Sequence, residues 1–206
     1  MKNLCFAFIL LLLGFSCQKE PTVTQKIANA HGFENWDKVT NISFTFGEKR
    51  SWKWSVKTND IILTTKEDTI SYNQSALDST SLKADRAFIN DKFWLLIPFQ
   101  LVWDKTASVS EMAKETAPIS KTLMNKITIT YPNNGGYTPG DAYDIFFDDD
   151  YIIKEWIFRR GNTKEPSLIN SFENYQNFNG IKIAQNHKTP DGKQVAKLTH
   201  IKINLK

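Results

Sequence analysis

The groups that could do chemistry are few and scattered along the chain. There are three histidines, His31, His187 and His200, and none stands in the HExxH or HxH spacing that would bring two imidazoles to one metal. His31 ends a helical pattern, where a helix C-terminus favours a cation. His187 ends a strand pattern, and His200 faces solvent by alternation. All three read as structural. Asp148-Asp149-Asp150 is rich in oxygen but lacks the alternating ligands and distal Glu of a calcium loop, and a hairpin turn accounts for it. No GxSxG or SxxK surrounds any serine, and Gly135-Gly136 opens neither a GxGxxG nor a P-loop. No catalytic residue, metal ligand or cofactor is assigned, and the chain is expected not to be an enzyme. What the side chains do offer is aromatic surface. Trp52, Trp54, Phe88, Trp94, Phe99, Trp103, Phe146, Trp156 and Phe158 could line a cavity for an apolar ligand, if the elements carrying them curl round a common space. Taken singly, each is also an ordinary core residue.

The remaining reactive group is a thiol. Lys2 is followed by an uncharged apolar run, Leu4 to Leu13, and then by Gly14-Phe15-Ser16-Cys17. The run is too short for the roughly 20 residues of a spanning helix and reads as a secretory signal over 1–16. Small residues directly before a cysteine resemble a bacterial lipobox, with Gly14 standing where Leu is usual. The resemblance implies cleavage before Cys17, a diacylglycerol thioether on its sulfur and acylation of its new amine. Two or more acyl chains anchor a protein stably, whereas one does not. Cys5 would leave with the signal, so Cys17 would be the last cysteine, and no intramolecular disulfide or CxxC chemistry could form. Gln18 follows Cys17 where an inner-membrane retention signal would have Asp. The order Cys-Gln-Lys-Glu is similar to a tag that sends some lipoproteins to the outer leaflet of the outer membrane, and it also suits a plain tether over 17–22. An outer-membrane, lipid-anchored location is expected, with the side of that membrane left open.

Length and charge set the frame for these groups. The chain has 206 residues, enough for one domain with a real core. Its 26 basic and 22 acidic residues leave a surplus of +4 spread along the chain, which does not suggest nucleic-acid binding. A hydrophobic fraction of 41% excludes a disordered chain.

From Val23 the apolar residues recur at helical spacing, and Gly32 is a natural stop. After Val39 the period becomes two: Ile42, Phe44 and Phe46 share a face, as do Trp52, Trp54 and Val56. Further strands fall at 60–65 and 69–73. Residues 82–103 read as a helix ending before Pro98. Residues 104–124 read as a polar loop with some helical turn at 109–115. Strands resume at 126–131, 141–147, 151–160, 168–175, 181–188 and 198–205, with hairpins at Asp148–Asp150 and Asp191-Gly192. The 151–160 strand carries apolar groups on both faces, Ile153 and Ile157 on one and Ile152, Trp156 and Phe158 on the other. The expected fold is mainly β (α+β): one domain over 23–206, built as a curved antiparallel sheet or incomplete barrel of about ten strands. One or two helices cover its concave face.

That order of elements resembles the LolA/LolB family of lipoprotein carriers and receivers, and a family of small bacterial lipoproteins near it. The resemblance rests on Ala30-His31-Gly32, on 88–98 (FINDKFWLLIP) and on 147–156 (FDDDYIIKEW). It implies a half-barrel lidded by helices over an apolar cavity for acyl chains. The expected function is non-enzymatic binding of an acyl chain, a lipoprotein or another apolar molecule. Expected partners are the membrane through Cys17, and a soluble carrier or membrane protein that delivers cargo. The alternative is a structural or protein-interaction lipoprotein with a filled core and no ligand.

Overall fold

The structure is a computed structural model that describes residues 20–135 and 137–206. The expected signal over 1–16 and the lipidation site Cys17 lie outside the described residues. Helix α1 spans Val23–Ala30, and Thr22 caps it by accepting the Gln25 N–H at 3.2 Å. Gly32 ends it at φ +92°, where a Cβ would meet the Gly180 carbonyl oxygen at 1.8 Å. Only glycine lets the chain lie that close. A 3-10 turn over Phe33–Lys38 brings Trp36 inward.

Strands β1 (Val39–Phe46), β2 (Arg50–Ser55), β3 (Asp60–Thr64) and β4 (Thr69–Asn73) form a meander, followed by the long helix α2 (Ser81–Trp103). Then come β5 (Ser108–Val109), β6 (Ala113–Thr116), β7 (Leu123–Thr130), β8 (Ala142–Phe147) and β9 (Ile153–Arg159). The chain closes with β10 (Leu168–Ser171), β11 (Glu173–Phe178), β12 (Ile181–Lys188) and β13 (Gln194–Leu205). The seven strands β11-β12-β13-β1-β2-β3-β4 make one sheet in that order. A second sheet runs β10-β9-β8-β7-β5, with β6 also on β7. Every pairing is antiparallel. The sheets meet where β10 runs into β11. There Phe172 N–H donates to Lys154 O on one side, and Ser171 O accepts from His187 Nδ1 on the other. No closed barrel forms, and the fold is mainly β as the alternating pattern predicts.

Helix α2 lies between the two sheets. Phe88, Leu95, Leu96 and Phe99 join the core of the first sheet, with Phe44, Trp52, Trp54 and Ile203. Phe93, Ile97 and Leu101 join that of the second, with Ile27 of α1 and Ile127, Ile145 and Ile153. Its first half keeps a wet face, with Leu82, Lys83, Arg86 and Asn90 exposed, and from Asp91 to Leu101 it is largely buried between the two sheets.

The helix breaks before Pro98 as expected: Leu96 leaves helical geometry (φ −129°, ψ 32°), and a second helical segment runs on from this kink to Trp103, with Pro98 in its first turn, where its missing N–H and its ring are tolerated. Two expectations need correction. Residues 109–115 are not helical. Val109 pairs with Ile129, and Ala113–Thr116 pairs with β7, which with the break between β10 and β11 raises the strand count among the described residues to thirteen. The faces of 151–160 are also re-sorted. A register shift opposite Phe146/Phe147 sends Ile153, Trp156 and Phe158 inward and Glu155 and Ile157 outward.

Candidate functional site

The nine aromatic residues divide among three places. Trp52, Trp54, Phe88, Phe99 and Trp103 belong to the packing between α2 and the first sheet. Trp36 bridges them, its ring 5.7 Å from Trp54, 5.7 Å from Phe99 and 4.6 Å from Trp103. Phe146 is on the opposite face of the second sheet, in register with Lys126 and Glu155. That face is covered by the segment at 117–120, whose Ile119 and Ser120 N–H groups donate to the Glu155 carboxylate at 2.6 and 2.9 Å. Phe146 therefore shares no cavity with the other eight.

Trp94, Trp156 and Phe158 do share one. A groove of about 320 Å³ opens between α2 and the β8–β9–β10 edge of the second sheet. Tyr143 and Trp156 form its floor, 5.0 Å apart, and Phe93, Trp94 and Phe158 rise beside them at 5.2, 4.8 and 5.0 Å from one or the other. The floor is kept apolar by internal bonding. Trp156 Nε1 donates to the Asn170 amide oxygen, and Asn170 Nδ2 donates to Ser171 O at 3.0 Å. Burial pushes the Tyr143 phenol up, so it stays protonated. Arg86, Asn90 and Arg160 stand at the rim, where water reaches them. The groove sits at the end of the β8–β9 hairpin away from its turn. No lining residue comes from 104–124.

Charged residues inside α2 escaped the sequence reading. Asp91 is wholly buried. It accepts from Arg50 Nε and Nη2, both at 2.7 Å, from Trp52 Nε1 at 2.8 Å and from Asn90 Nδ2 at 3.0 Å. Next to it Lys92, 9% exposed, places its ammonium 5.4, 5.6 and 5.3 Å from the rings of Trp54, Phe88 and Tyr137. The signal was present in the sequence: an acid and a base stand together at the centre of a stretch whose other faces are apolar, a place where polar side chains need a specific partner.

The histidines divide as well. His200 is exposed at a bulge (φ +52°). His31 is not a solvated cation at a helix end. It is fully buried, its Nδ1 donates to Ile27 O at 2.8 Å, and burial holds its pKa down at about 4. His187 is equally buried. It donates from Nδ1 to Ser171 O at 3.2 Å and is held at about 4 for the same reason. Its Nε2 has no partner, and its ring stands edge-on to Trp94 and Phe172, at 5.1 and 4.6 Å. Among the described residues, no group of three or more His, Cys, Asp or Glu is placed to hold a metal. No helix among them is long and apolar enough to cross a membrane.

No family model and no curated protein matches the chain. Among solved structures it is similar to a DUF1329 family protein from Desulfovibrio piger ATCC 29098. That likeness has 11% identity and a TM-score of 0.46, covering 88% of this chain and 93% of the other.

Proposed function

We propose that this is a non-enzymatic lipoprotein of the LolA/LolB-like kind, held on the outer membrane by an acylated Cys17, that binds one compact apolar ligand in the groove beside Trp94, Trp156 and Phe158. The observation that carries the reading is the groove itself: six aromatic residues, Phe93, Trp94, Tyr137, Tyr143, Trp156 and Phe158, converge on one recess with a few polar groups among them, the usual make-up of a small-molecule site. Its size bears on the cargo. At roughly 30 Å³ per water-sized group, 320 Å³ accepts about ten methylene-sized groups. One acyl chain of that length, or a compact ring system, suits it. The several chains of a whole lipoprotein do not.

Native mass spectrometry of protein taken from its own cells should show one bound apolar molecule. Phe158 is half-buried at the groove edge, so Phe158→Asp should weaken uptake of a fluorescent fatty acid at least tenfold while the melting temperature moves by only a few degrees. Finding apo protein alone, with no fatty-acid uptake, would overturn the binding reading. For the anchor, Cys17→Ala should move the protein from the membrane pellet to the soluble periplasmic fraction. A variant that still sediments with membranes after a salt wash would count against acylation as the attachment.

One observation favours the interaction reading instead. Val109 of the edge strand β5 and Met112, between the edge strands β5 and β6, are exposed on the outer side of the second sheet. An unpaired edge with apolar side chains is a place where another chain can add.

A further inference from the structure

We infer that the ligand is an anionic amphiphile whose head group sits on Lys92, with its apolar part in the aromatic groove; this rests on the binding reading above. Lys92 lines a second hollow, of about 360 Å³, together with Gln74, Ile89, Asp104 and Tyr137. Ile89 and Tyr137 line the aromatic groove as well, so the two recesses adjoin along one edge. A ligand passing that edge has its tail among Trp94, Trp156 and Phe158 and its head beside the Lys92 ammonium.

The charge on Lys92 is what the fold leaves unanswered. Among the described residues no carboxylate oxygen lies within 4 Å of its Nζ and no acceptor bonds it, although the residue is 9% exposed. Of the acids near it, Asp91 is paired with Arg50, Asp85 accepts from Gln74, and Asp104, which lines the same hollow, accepts from Thr106 N–H and Oγ1 at 2.8 and 2.6 Å and makes no ion pair with Lys92. Lys92 is largely buried and stands in the hollow that adjoins the groove, whereas Arg86 and Arg160 are exposed at the rim, where water satisfies them, and this difference places the head at Lys92.

The head-group chemistry is that of a carboxylate or phosphate monoester. Tryptophan fluorescence titration of the full-length Cys17→Ala protein with decanoate and with decanol at neutral pH tests it, the two probes sharing a chain of suitable length and differing in charge. Decanoate should bind at least about tenfold tighter than decanol, as expected for one charge-assisted bond. Lys92→Met should bring the two to equal affinity with decanol binding kept, and Lys92→Arg should retain the preference. Decanol bound as well as decanoate by the wild type would overturn the assignment and leave the groove reading standing. So would a preference that survives in Lys92→Met. Binding of neither probe would remove the groove reading and the head-group site together. Should Lys92→Met fail to fold, Arg86→Met/Arg160→Met replaces it: the preference for decanoate should survive there, and its loss would place the head at the rim and overturn the assignment.

Discussion

Replacing Asp91 with Leu is expected to destabilise the protein by about 3–5 kcal/mol, the range seen when one member of a buried ion pair is removed. In a chain of this size that lowers the melting temperature by about 10 °C or more. The reason lies in what remains. Asp91 is wholly buried and accepts four hydrogen bonds, two from Arg50 and one each from Trp52 and Asn90. Without it the buried indole N–H of Trp52 has no acceptor, and a guanidinium two-thirds shielded from water has no counter-charge. The pair also ties β2 to the middle of α2, so the loss falls on the contact between helix and first sheet. Arg50→Met alone should cost a comparable amount, because it leaves the carboxylate charged and buried. The double variant Arg50→Met/Asp91→Leu should cost well below the sum, since apolar groups replacing both partners leave no charge unpaired and only the Trp52 indole N–H without its acceptor. Denaturant melts of the four proteins give the coupling directly. Strictly additive losses would mean that the two residues act independently.

Where the backbone keeps a strict period of two, strand faces were legible in the sequence: Ile42 and Phe44, Trp52 and Trp54, Ile127 and Ile129 all face the core as their alternation says. Where a bulge intrudes, parity fails. Ala196 and Leu198 are buried, but after His200 turns to φ +52° the inward set resumes at Ile201 and Ile203. A single residue in the left-handed region shifts the face, and no periodicity announces it. The same effect near Lys154 re-sorted Ile153 and Trp156, which is why the groove floor was not visible beforehand. Phe146 was misleading for a different reason: both faces of β8 are covered, one by α2 and the other by the 117–120 segment, so hydrophobicity alone could not say which space it enters. The polar residues of α2 follow no period, and the adjacent acid and base at 91–92 beside its most apolar stretch are the one sign the sequence gives of them. Asp91 and Lys92 acquire meaning only once the fold brings Arg50, Trp52 and Trp54 over them.

Lowering the pH from 7 to 4 is expected to remove about 6 kcal/mol of stability through His31 and His187 together, a large share of the 5–15 kcal/mol typical of a domain. Both imidazoles are fully buried, with pKa values held near 4 against 6.5 in the unfolded chain. Burial is the main cause for each, since the neutral ring loses little on leaving water and the charged ring loses much. For His31 the Lys182 and Lys154 charges act in the same direction, while the Ile27 hydrogen bond opposes them. The sign follows from which state binds the proton first. As pH falls through 6.5 the unfolded chain takes up protons that the native state refuses, so stability declines from there to about pH 4 and is flat below. Each unit of pKa difference is worth about 1.4 kcal/mol, so a histidine pinned near 4 contributes about 3 kcal/mol to the decline. The window from pH 6.5 to 5 isolates the effect. Carboxylates with lowered pKa, such as Glu173 beside Lys188, give up their contribution only at lower pH. Urea melts at half-unit steps should therefore show a steep slope between pH 6.5 and 5. His31→Asn and His187→Asn keep a side-chain N–H near Ile27 O and Ser171 O. Each should be less stable than the wild type at pH 7 yet lose about half of that slope, and the double variant should be nearly flat across the window. An unchanged slope in both single variants would mean that the two rings titrate normally and that the fold admits the charge.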